Sequence, residues 1–556
     1  MKDIFETGRK PVLDTDQPSP LRRRILKACA YLPAAPLLAM LGGCDGDDGL
    51  PGEASTFTPP PVKVPANAIS DPLDLKLPPF NETNQALPPK LDKQITGSVE
   101  VTHVPKQLPV PSKPKTVGVY SLQYDSYKQV ATRRNVAAGT PGSVTTMSPD
   151  PEDAGKFIFV TYEGIETYLK RALDNRFALL HRAMLAAFTK HSPKEFDVSF
   201  FTAPEFYWNV PFGDFLTEAE LQLSTKLYLE TVTRNARTLI SKFPAKRYGH
   251  IVLLPGTIAT LKRSYDATKP DGSAIAIYNA ANHLTCTHNL PLDDKSFPRP
   301  AYMIWPKRVV SWIDYKDTEG CDDDLAILNK NPTNPDLNNT LKKCVLNSKN
   351  GLTVFIERVS SSVARSFDSM GNPLSTIFQN DIIEGLPFGI DICLDYSEAS
   401  VQKDKYRIAQ LDEREFKLDF LISAGMSLST SNYADTPYIQ YAMHTEGIGG
   451  WAEAWKLTYT KAQGNRPGTI SGDNLAPLDA DSAQDTKKGE IAIDQTDAFV
   501  TPEDADTTGI PNILDKMKPG TVLVWKLDVD QPADEVVANN PIPTKKVADK
   551  AIQFIE

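Results

Sequence analysis

The sequence has few of the residues from which metal sites are built. Seven histidines and six cysteines are spread over 556 residues, and neither a CxxC pair nor an HExxH motif occurs. The GxSxG turn of serine hydrolases and the GxxxxGK[ST] phosphate loop are also absent. The sequence therefore predicts neither a zinc site nor a nucleotide site, and we expect no cofactor and no metal.

An excess of basic residues is also missing. The 60 Lys and Arg residues are outnumbered by 70 Asp and Glu residues, which gives a formal net charge of −10. A nucleic-acid surface needs a basic patch or stripe, and we find none. We therefore expect no nucleic-acid partner. Hydrophobic residues make up 41% of the chain, which is enough for a sizeable core.

The first 43 residues predict an export signal. The run RRRILK at 22–27 resembles the twin-arginine motif, and the apolar stretch after it is interrupted by Pro33 and Pro36. That stretch is too short for a transmembrane helix, and its prolines interrupt it. We therefore leave residues 1–43 out of the folded body.

The signal ends in a sequence that resembles a bacterial lipobox. Leu41, two glycines and Cys44 follow one another, so Cys44 would become the lipidated first residue of the mature protein. The alternative is an ordinary signal peptide with a chance cysteine. Asp45 resembles a signal for retention at the inner membrane. We expect a periplasmic protein that a lipid anchor holds at the membrane, with the inner membrane favoured.

A proline-rich segment separates the signal from the body. Residues 51–115 contain 14 of the 45 prolines of the chain. Such composition is typical of an extended tether, and this interpretation covers residues 44–114. A docking role for the segment is the alternative. At the other end, residues 531–556 are interpreted as a C-terminal tail.

Between 115 and 530 the sequence alternates between strand-like and helix-like patterns. Apolar residues recur at helical spacing in 163–191 and 217–243, and Thr217 with Glu220 forms a capping-box pattern. This alternation predicts an α/β fold. Runs typical of strands occupy 116–125, 196–208, 250–259, 274–285, 352–359, 386–395, 418–425 and 521–530.

Three polar side chains stand at the ends of apolar runs. Glu205 follows FFTAP, Lys307 follows YMIWP, and Cys393 ends GIDIC. An α/β sheet presents its sites at such strand ends. Each residue also has an ordinary alternative, namely a loop charge, a solvated lysine and a small buried residue. Singly, none of them indicates a site.

Together, the three motifs resemble the nitrilase superfamily of carbon-nitrogen hydrolases. FFTAPEFYW is similar to its glutamate motif, MIWPKR to its lysine motif and GIDICLD to its cysteine motif, in the same order along the chain. The resemblance implies a four-layer αββα sandwich with surface insertions, which often pairs with a second copy. It also implies a catalytic triad of Glu205, Lys307 and Cys393.

The implied reaction is the hydrolysis of a non-peptide carbon-nitrogen bond, in an amide or a nitrile, through a thioester. Cys393 would attack carbon, and Glu205 would carry the proton. Lys307 and the backbone N–H of Leu394 would hold the oxyanion. The alternatives are an N-acyltransferase that uses the same thioester and an inactive scaffold that keeps the fold.

The substrate pocket is less clearly indicated. Tyr207 and Trp208 follow Glu205 directly, where they could line a pocket or pack in the core. The family often has a second pocket glutamate between its lysine and its cysteine. Glu357 and Glu384 are the candidates, and Glu357 is favoured.

The spacing departs from the family. Glu205 and Lys307 are 102 positions apart and Lys307 and Cys393 are 86 apart, more than is usual there. The additional residues are interpreted as surface insertions at 261–273, 314–351 and 460–515, which leave the substrate open. Outside the cytoplasm a disulfide is expected. Cys321–Cys344 is the preferred pair, and Cys286 is the other possible partner.

The lipobox interpretation predicts the behaviour of a Cys44→Ser variant expressed in a bacterium. The wild-type chain should sediment with membranes, and Cys44→Ser should move to the soluble fraction, because the acyl chains supply the membrane affinity. An Asp45→Ser variant is the control and should stay with membranes. Fractionation followed by immunoblotting measures this, and a soluble wild-type chain would contradict the anchor.

Overall fold

The structure is a computed structural model of the 556-residue chain. The segments interpreted as export signal, tether and C-terminal tail lie outside the residues that it describes. The described residues are 115–127, 133–153, 155–210, 217–268, 272–292, 298–307, 318–322, 341–346, 352–357, 364–400, 411–413, 415–433, 436–460, 468–493 and 520–529.

The described part is a mixed α/β structure with two large sheets, as the alternating sequence pattern predicted. The helices are α1 Ile165–Lys190, α2 Glu218–Ser241, α3 Ala245–Tyr248 and α4 Asp395–Ser400. The strands are β1 Lys115–Gln123, β2 Val144–Pro149, β3 Phe157–Tyr162, β4 Val198–Thr202, β5 Ile251–Leu254, β6 Thr257–Thr268, β7 Ala274–His288, β8 Tyr302–Pro306, β9 Thr318–Asp322, β10 Leu341–Leu346, β11 Leu352–Glu357, β12 Arg365–Phe367, β13 Pro373–Ser375, β14 Phe388–Ile392, β15 Leu418–Ser423, β16 Tyr441–Glu446, β17 Trp451–Thr460, β18 Thr469–Asn474, β19 Ile491–Ala492 and β20 Thr521–Val529.

The first sheet contains both parallel and antiparallel strand pairs. Its main path runs β13-β12-β8-β7-β5-β4-β1-β20-β19, and β6 and β11 pair with β7 beside that path. β1 pairs in parallel with β4 and antiparallel with β20. The last described strand, β20, therefore pairs with the first, β1.

The second sheet has the order β14-β15-β16-β17-β18. Its first three strands are parallel, and β17 and β18 continue it antiparallel. Because β14 is the end strand of this path, Cys393 follows a strand that pairs only with β15 among the described strands.

The two sheets pack face to face, and helices cover the other face of the first sheet. Alternate side chains of β4 point to opposite faces. Phe200 lies between the sheets, with its ring 4.8 Å from that of Phe420 and 5.2 Å from that of Phe388. Phe201 packs on the helix side with residues of α1 such as Phe188. This accounts for three layers of helices, sheet and sheet.

The outer face of the second sheet has a smaller cover. Leu421 packs there with Tyr396 of α4 and Tyr433 of a 3₁₀ turn. Among the described helices, only the six-residue α4 contributes to this face. The four-layer form of the sandwich therefore stays a prediction. None of the described helices combines the length and the apolar character that a membrane span requires.

The first predicted insertion, 261–273, falls within a hairpin. β6 and β7 pair antiparallel, from Thr257 opposite Leu284 to Thr268 opposite Ala274. β6 contains Thr, Ile, Leu and Tyr, which are typical of strands, and the polar residues of 261–273 conceal this pattern in the sequence. That the segment is an insertion stays a prediction.

The other two predicted insertions also contain strands, and their status as insertions stays a prediction. In the second insertion, β9 and β10 extend the first sheet through β11. Their register places Cys321 opposite Cys344, although their side chains lie outside the description, so the disulfide stays a prediction. Cys286, the alternative partner, is a buried thiol on β7. In the third insertion, β18 and β19 border the two sheets.

Candidate active site

Glu205 and Lys307 form a fully buried ion pair. Glu205 lies three residues after β4, and Lys307 follows β8 directly. Lys307 Nζ lies 3.0 Å from Glu205 Oε1, and both side chains are 0% exposed. Burying two charges costs several kcal/mol for each ion, which their attraction offsets only with good geometry. Such a pair is a better indication of chemistry than of stability.

Asn282 binds both members of the pair and was missed from the sequence. Its Nδ2 donates to Glu205 Oε1 at 2.9 Å, and its backbone oxygen accepts from Lys307 N at 2.7 Å. It lies within β7 and is 1% exposed. The signal that could have found it is an amide in the middle of an apolar strand, since buried amides need partners.

Cys393 has an unusual backbone. It follows β14 directly, is 4% exposed and has a φ of 49°. Its N–H donates to Ile422 O at 3.0 Å, and its Sγ lies 3.9 Å from Ala424 O. A non-glycine residue in the left-handed region is uncommon, and such strain gathers at functional sites. Phe206, next to Glu205, has a φ of 60°.

Ala424 joins the cysteine to the loop that carries Glu205. Its carbonyl contacts the Cys393 thiol, and its side chain packs with Phe206 in one buried cluster. Gly447 lies against Ala424 and Glu205. A Cβ there would meet Ser126 Oγ first and would come within 3.0 Å of Glu205 O and 3.2 Å of Ala424 Cβ. The structure thus brings Glu205 and Lys307 into contact, and Ala424 contacts both Cys393 and Phe206, the residue next to Glu205.

A second buried polar network fixes these loops. Glu446 Oε1 accepts the N–H groups of Gly425 at 2.7 Å and Ile448 at 2.6 Å, which lie on either side of the Ala424 and Gly447 contact. Its Oε2 accepts the Ser423 hydroxyl at 2.8 Å. His444 Nε2 lies 2.7 Å from the same hydroxyl oxygen. None of these residues was predicted from the sequence.

His444 is charged more easily than an ordinary histidine. Burial alone lowers its pKa, but hydrogen bonds with Glu446 and Glu453 outweigh burial, so the pKa is raised. Its Nδ1 lies 3.4 Å from Glu453 Oε1, and Trp451 packs edge-on against the ring. The imidazole lies between two carboxylates and helps to hold Glu446 in place.

Tyr207 and Trp208 pack in the core on the helix side. Both are fully buried, their rings form an edge-to-face pair, and Tyr207 Oη donates to Arg176 O. These contacts support the packing alternative for the two aromatics. Phe206 is the aromatic neighbour of Glu205 that faces Ala424 instead.

The remaining predicted site residues lie near strand ends. Leu394 follows Cys393 in the turn that leads into α4, so its oxyanion role stays a prediction. Glu357 ends β11, but its side chain lies outside the description. Glu384, the other candidate, is exposed. Among the described residues, no group of three or more His, Cys, Asp and Glu side chains could hold a metal ion.

The arrangement provides the parts of acyl chemistry. A thiol can act as nucleophile, a buried carboxylate can accept and return its proton, and a fixed ammonium can stabilise a negative oxygen. All three groups are removed from water. Electrostatic interactions are stronger in such a buried site than in water. No metal or cofactor is needed for these roles.

Comparisons with known proteins add little to this geometry. No protein-family model and no curated protein matches the sequence. Among solved structures, a carbon-nitrogen hydrolase from Helicobacter pylori G27 aligns with 79% of this chain and 97% of that chain, at 11% sequence identity and a TM-score of 0.29. At that TM-score the likeness carries no argument, so the candidate site rests on its own contacts.

The buried pair predicts a large stability loss in Lys307→Met. The variant leaves the Glu205 carboxylate buried without its ammonium, so the free energy of unfolding should fall by about 3–5 kcal/mol. Adding Glu205→Gln should restore part of the loss, because it removes the isolated charge. Urea unfolding followed by circular dichroism measures both effects.

The matched control is the exposed pair between Lys488 and Asp481, whose side chains are 70% and 53% exposed. Lys488→Met should change the free energy of unfolding by no more than about 0.5 kcal/mol. Equal losses in Lys307→Met and Lys488→Met would contradict a buried, coupled pair.

The raised pKa of His444 predicts a pH dependence of stability. Its stabilising contribution should be fully present below the unfolded pKa of about 6.5 and should be lost as the pH rises through the higher folded pKa. The difference in unfolding free energy between wild type and His444→Gln should therefore shrink with rising pH. Urea titrations at a series of pH values measure it.

His250 is the control, because burial, followed by the charges of Arg299 and Lys115, lowers its pKa. The difference between wild type and His250→Gln should not shrink above pH 6.5. A His444→Gln difference that stays constant with pH would show that His444 does not carry the charge.

Proposed function

We propose that this chain is a hydrolase of non-peptide carbon-nitrogen bonds that forms a thioester on Cys393. The observation that supports this most strongly is the buried ion pair of Glu205 and Lys307, connected through Ala424 to a cysteine with strained backbone. A thiol, a carboxylate and an ammonium on three different strand ends are the set that such a reaction needs.

In the first half-reaction, Glu205 takes the proton of the Cys393 thiol as sulfur attacks the substrate carbon. The negative charge moves to oxygen, where Lys307 and the N–H of Leu394 stabilise it. When the carbon-nitrogen bond breaks, its electron pair stays on nitrogen, and nitrogen takes the proton from Glu205. The amine or ammonia leaves, and the acyl group remains on sulfur.

In the second half-reaction, water replaces the amine. Glu205 accepts a proton from water as its oxygen attacks the thioester carbon, and the proton returns to sulfur when the carbon-sulfur bond breaks. The products are a carboxylic acid and the restored thiol. An amine in place of water would give acyl transfer, so amine acceptors belong in the assay.

We also propose that the enzyme works in the periplasm on a lipid anchor at Cys44. The support is the sequence alone, in the twin-arginine and lipobox patterns followed by the proline-rich segment. The tether would let the folded body reach substrates away from the membrane surface.

The proposal predicts that Cys393 is the reactive thiol. Iodoacetamide at neutral pH should label Cys393 and leave Cys286 unlabelled, because Cys286 is fully buried and burial raises its pKa. Peptide mass spectrometry measures the labelling. Cys393→Ala should lower hydrolysis by at least about a thousandfold in a panel of small amides and nitriles.

Cys286→Ala is the control and should keep both the labelling and the activity. Hydroxylamine should release the acyl group from wild type that has been quenched during turnover. Activity that survives in Cys393→Ala would refute the mechanism. A wild-type chain whose Cys393 is inert and which cleaves no compound would favour the scaffold alternative.

A further inference from the structure

Asn282 is held rigidly beside the proposed proton carrier. Its Nδ2 donates to Glu205 Oε1, the same oxygen that accepts from Lys307 Nζ, and its backbone oxygen holds the N–H of Lys307. The side-chain amide cannot flip by 180°, because its oxygen would then face the oxygen of the Glu205 carboxylate. The orientation of this side chain is therefore set by Glu205.

The other end of the same amide needs a donor. Asn282 Oδ1 is buried, and none of the described residues donates a hydrogen bond to it. Buried side-chain oxygens normally have a partner, and leaving one without costs stability. Because the amide is planar and its nitrogen bonds Glu205, this acceptor lies close to the carboxylate. A ligand that carries an N–H would complete it.

We propose that Asn282 Oδ1 accepts the N–H of the departing nitrogen, so that the substrates are primary or secondary amides rather than nitriles or esters. This inference rests on the proposed function and narrows it. A nitrile nitrogen and an ester oxygen carry no hydrogen in the ground state, and neither does the nitrogen of a tertiary amide. All three leave Asn282 Oδ1 without a donor.

The hydrogen bond also has a place in the reaction. The N–H that Asn282 binds stays on nitrogen throughout and is distinct from the proton that Glu205 delivers. Holding that N–H turns the nitrogen lone pair towards the Glu205 carboxyl, which must protonate it as the carbon-nitrogen bond breaks. Asn282 therefore acts on the amide by orientation and selects it by its hydrogen bond.

The test compares the N-methylamide and the N,N-dimethylamide of one acyl group. Both kcat/KM values are measured on wild type and on Asn282→Ala, and the ratio of N-methylamide to N,N-dimethylamide is calculated for each enzyme. Both leaving amines need the proton of Glu205, so a weaker Glu205 slows both substrates, whereas losing the N–H acceptor slows only the N-methylamide. The ratio should fall about tenfold in Asn282→Ala. The fraction of folded enzyme cancels within each preparation.

Asn289 supplies the matched control. It is an asparagine just after β7 whose Nδ2 donates to Phe243 O and Gly249 O, away from Glu205. Asn289→Ala should leave the ratio unchanged. If Asn282→Ala does not fold, Asn282→Ser takes its place. The wild type alone should also prefer a primary amide to its N,N-dimethyl derivative and to the corresponding nitrile.

The outcomes separate this inference from the proposed function. An active wild type whose ratio is unchanged in Asn282→Ala would show that Asn282 only positions Glu205, and would overturn the inference alone. A wild type that cleaves the nitrile as fast as the amide would do the same. A wild type that cleaves neither of the two amides would overturn the inference and the proposed function together.

Discussion

The burial of one carboxylate and one ammonium together is the constraint on which the rest of the site depends. Glu205 and Lys307 come from strands that are separated by two others in the sheet, so the pair forms only when β4, β5, β7 and β8 are in order. Because both side chains are buried, water could not solvate either charge in place of its partner. A polar group beside the pair must therefore donate to the carboxylate or accept from the ammonium. Asn282 donates to the Glu205 carboxylate through Nδ2.

The loops around this pair are fixed by a network on the second sheet. Glu446 accepts backbone N–H groups on both sides of the Ala424 and Gly447 contact. His444, two residues earlier on β16, contacts Glu446. A side chain at Gly447 would meet Ser126 Oγ first and then Glu205 O and Ala424 Cβ. The two sheets thus meet at the candidate site through backbone contacts that tolerate little change.

The sequence predicted what depends on local pattern. The long helices and the buried strands appeared in apolar periodicity, and the structure has Thr217 and Glu220 in the predicted capping box. The strands of β6 and β10 were missed, because polar surface residues weaken the alternation on which strand prediction depends. Asn282 was missed for another reason, because its partner Glu205 is 77 positions away in the sequence. His444 was missed although its partners Glu446 and Glu453 are close to it in sequence.

The position of β20 has a consequence for how the molecule reaches this state. β1 lies inside the first sheet between β4 and β20, and the second of these neighbours arrives almost 400 residues later, with Gln123 opposite Thr521. A ribosome must therefore finish nearly the whole chain before the first strand is paired on both sides. Contacts of such long range form slowly. Until they form, the unpaired edge of β1 is exposed and prone to aggregation. A secretion route that accepts only completed, folded cargo would suit this order of assembly.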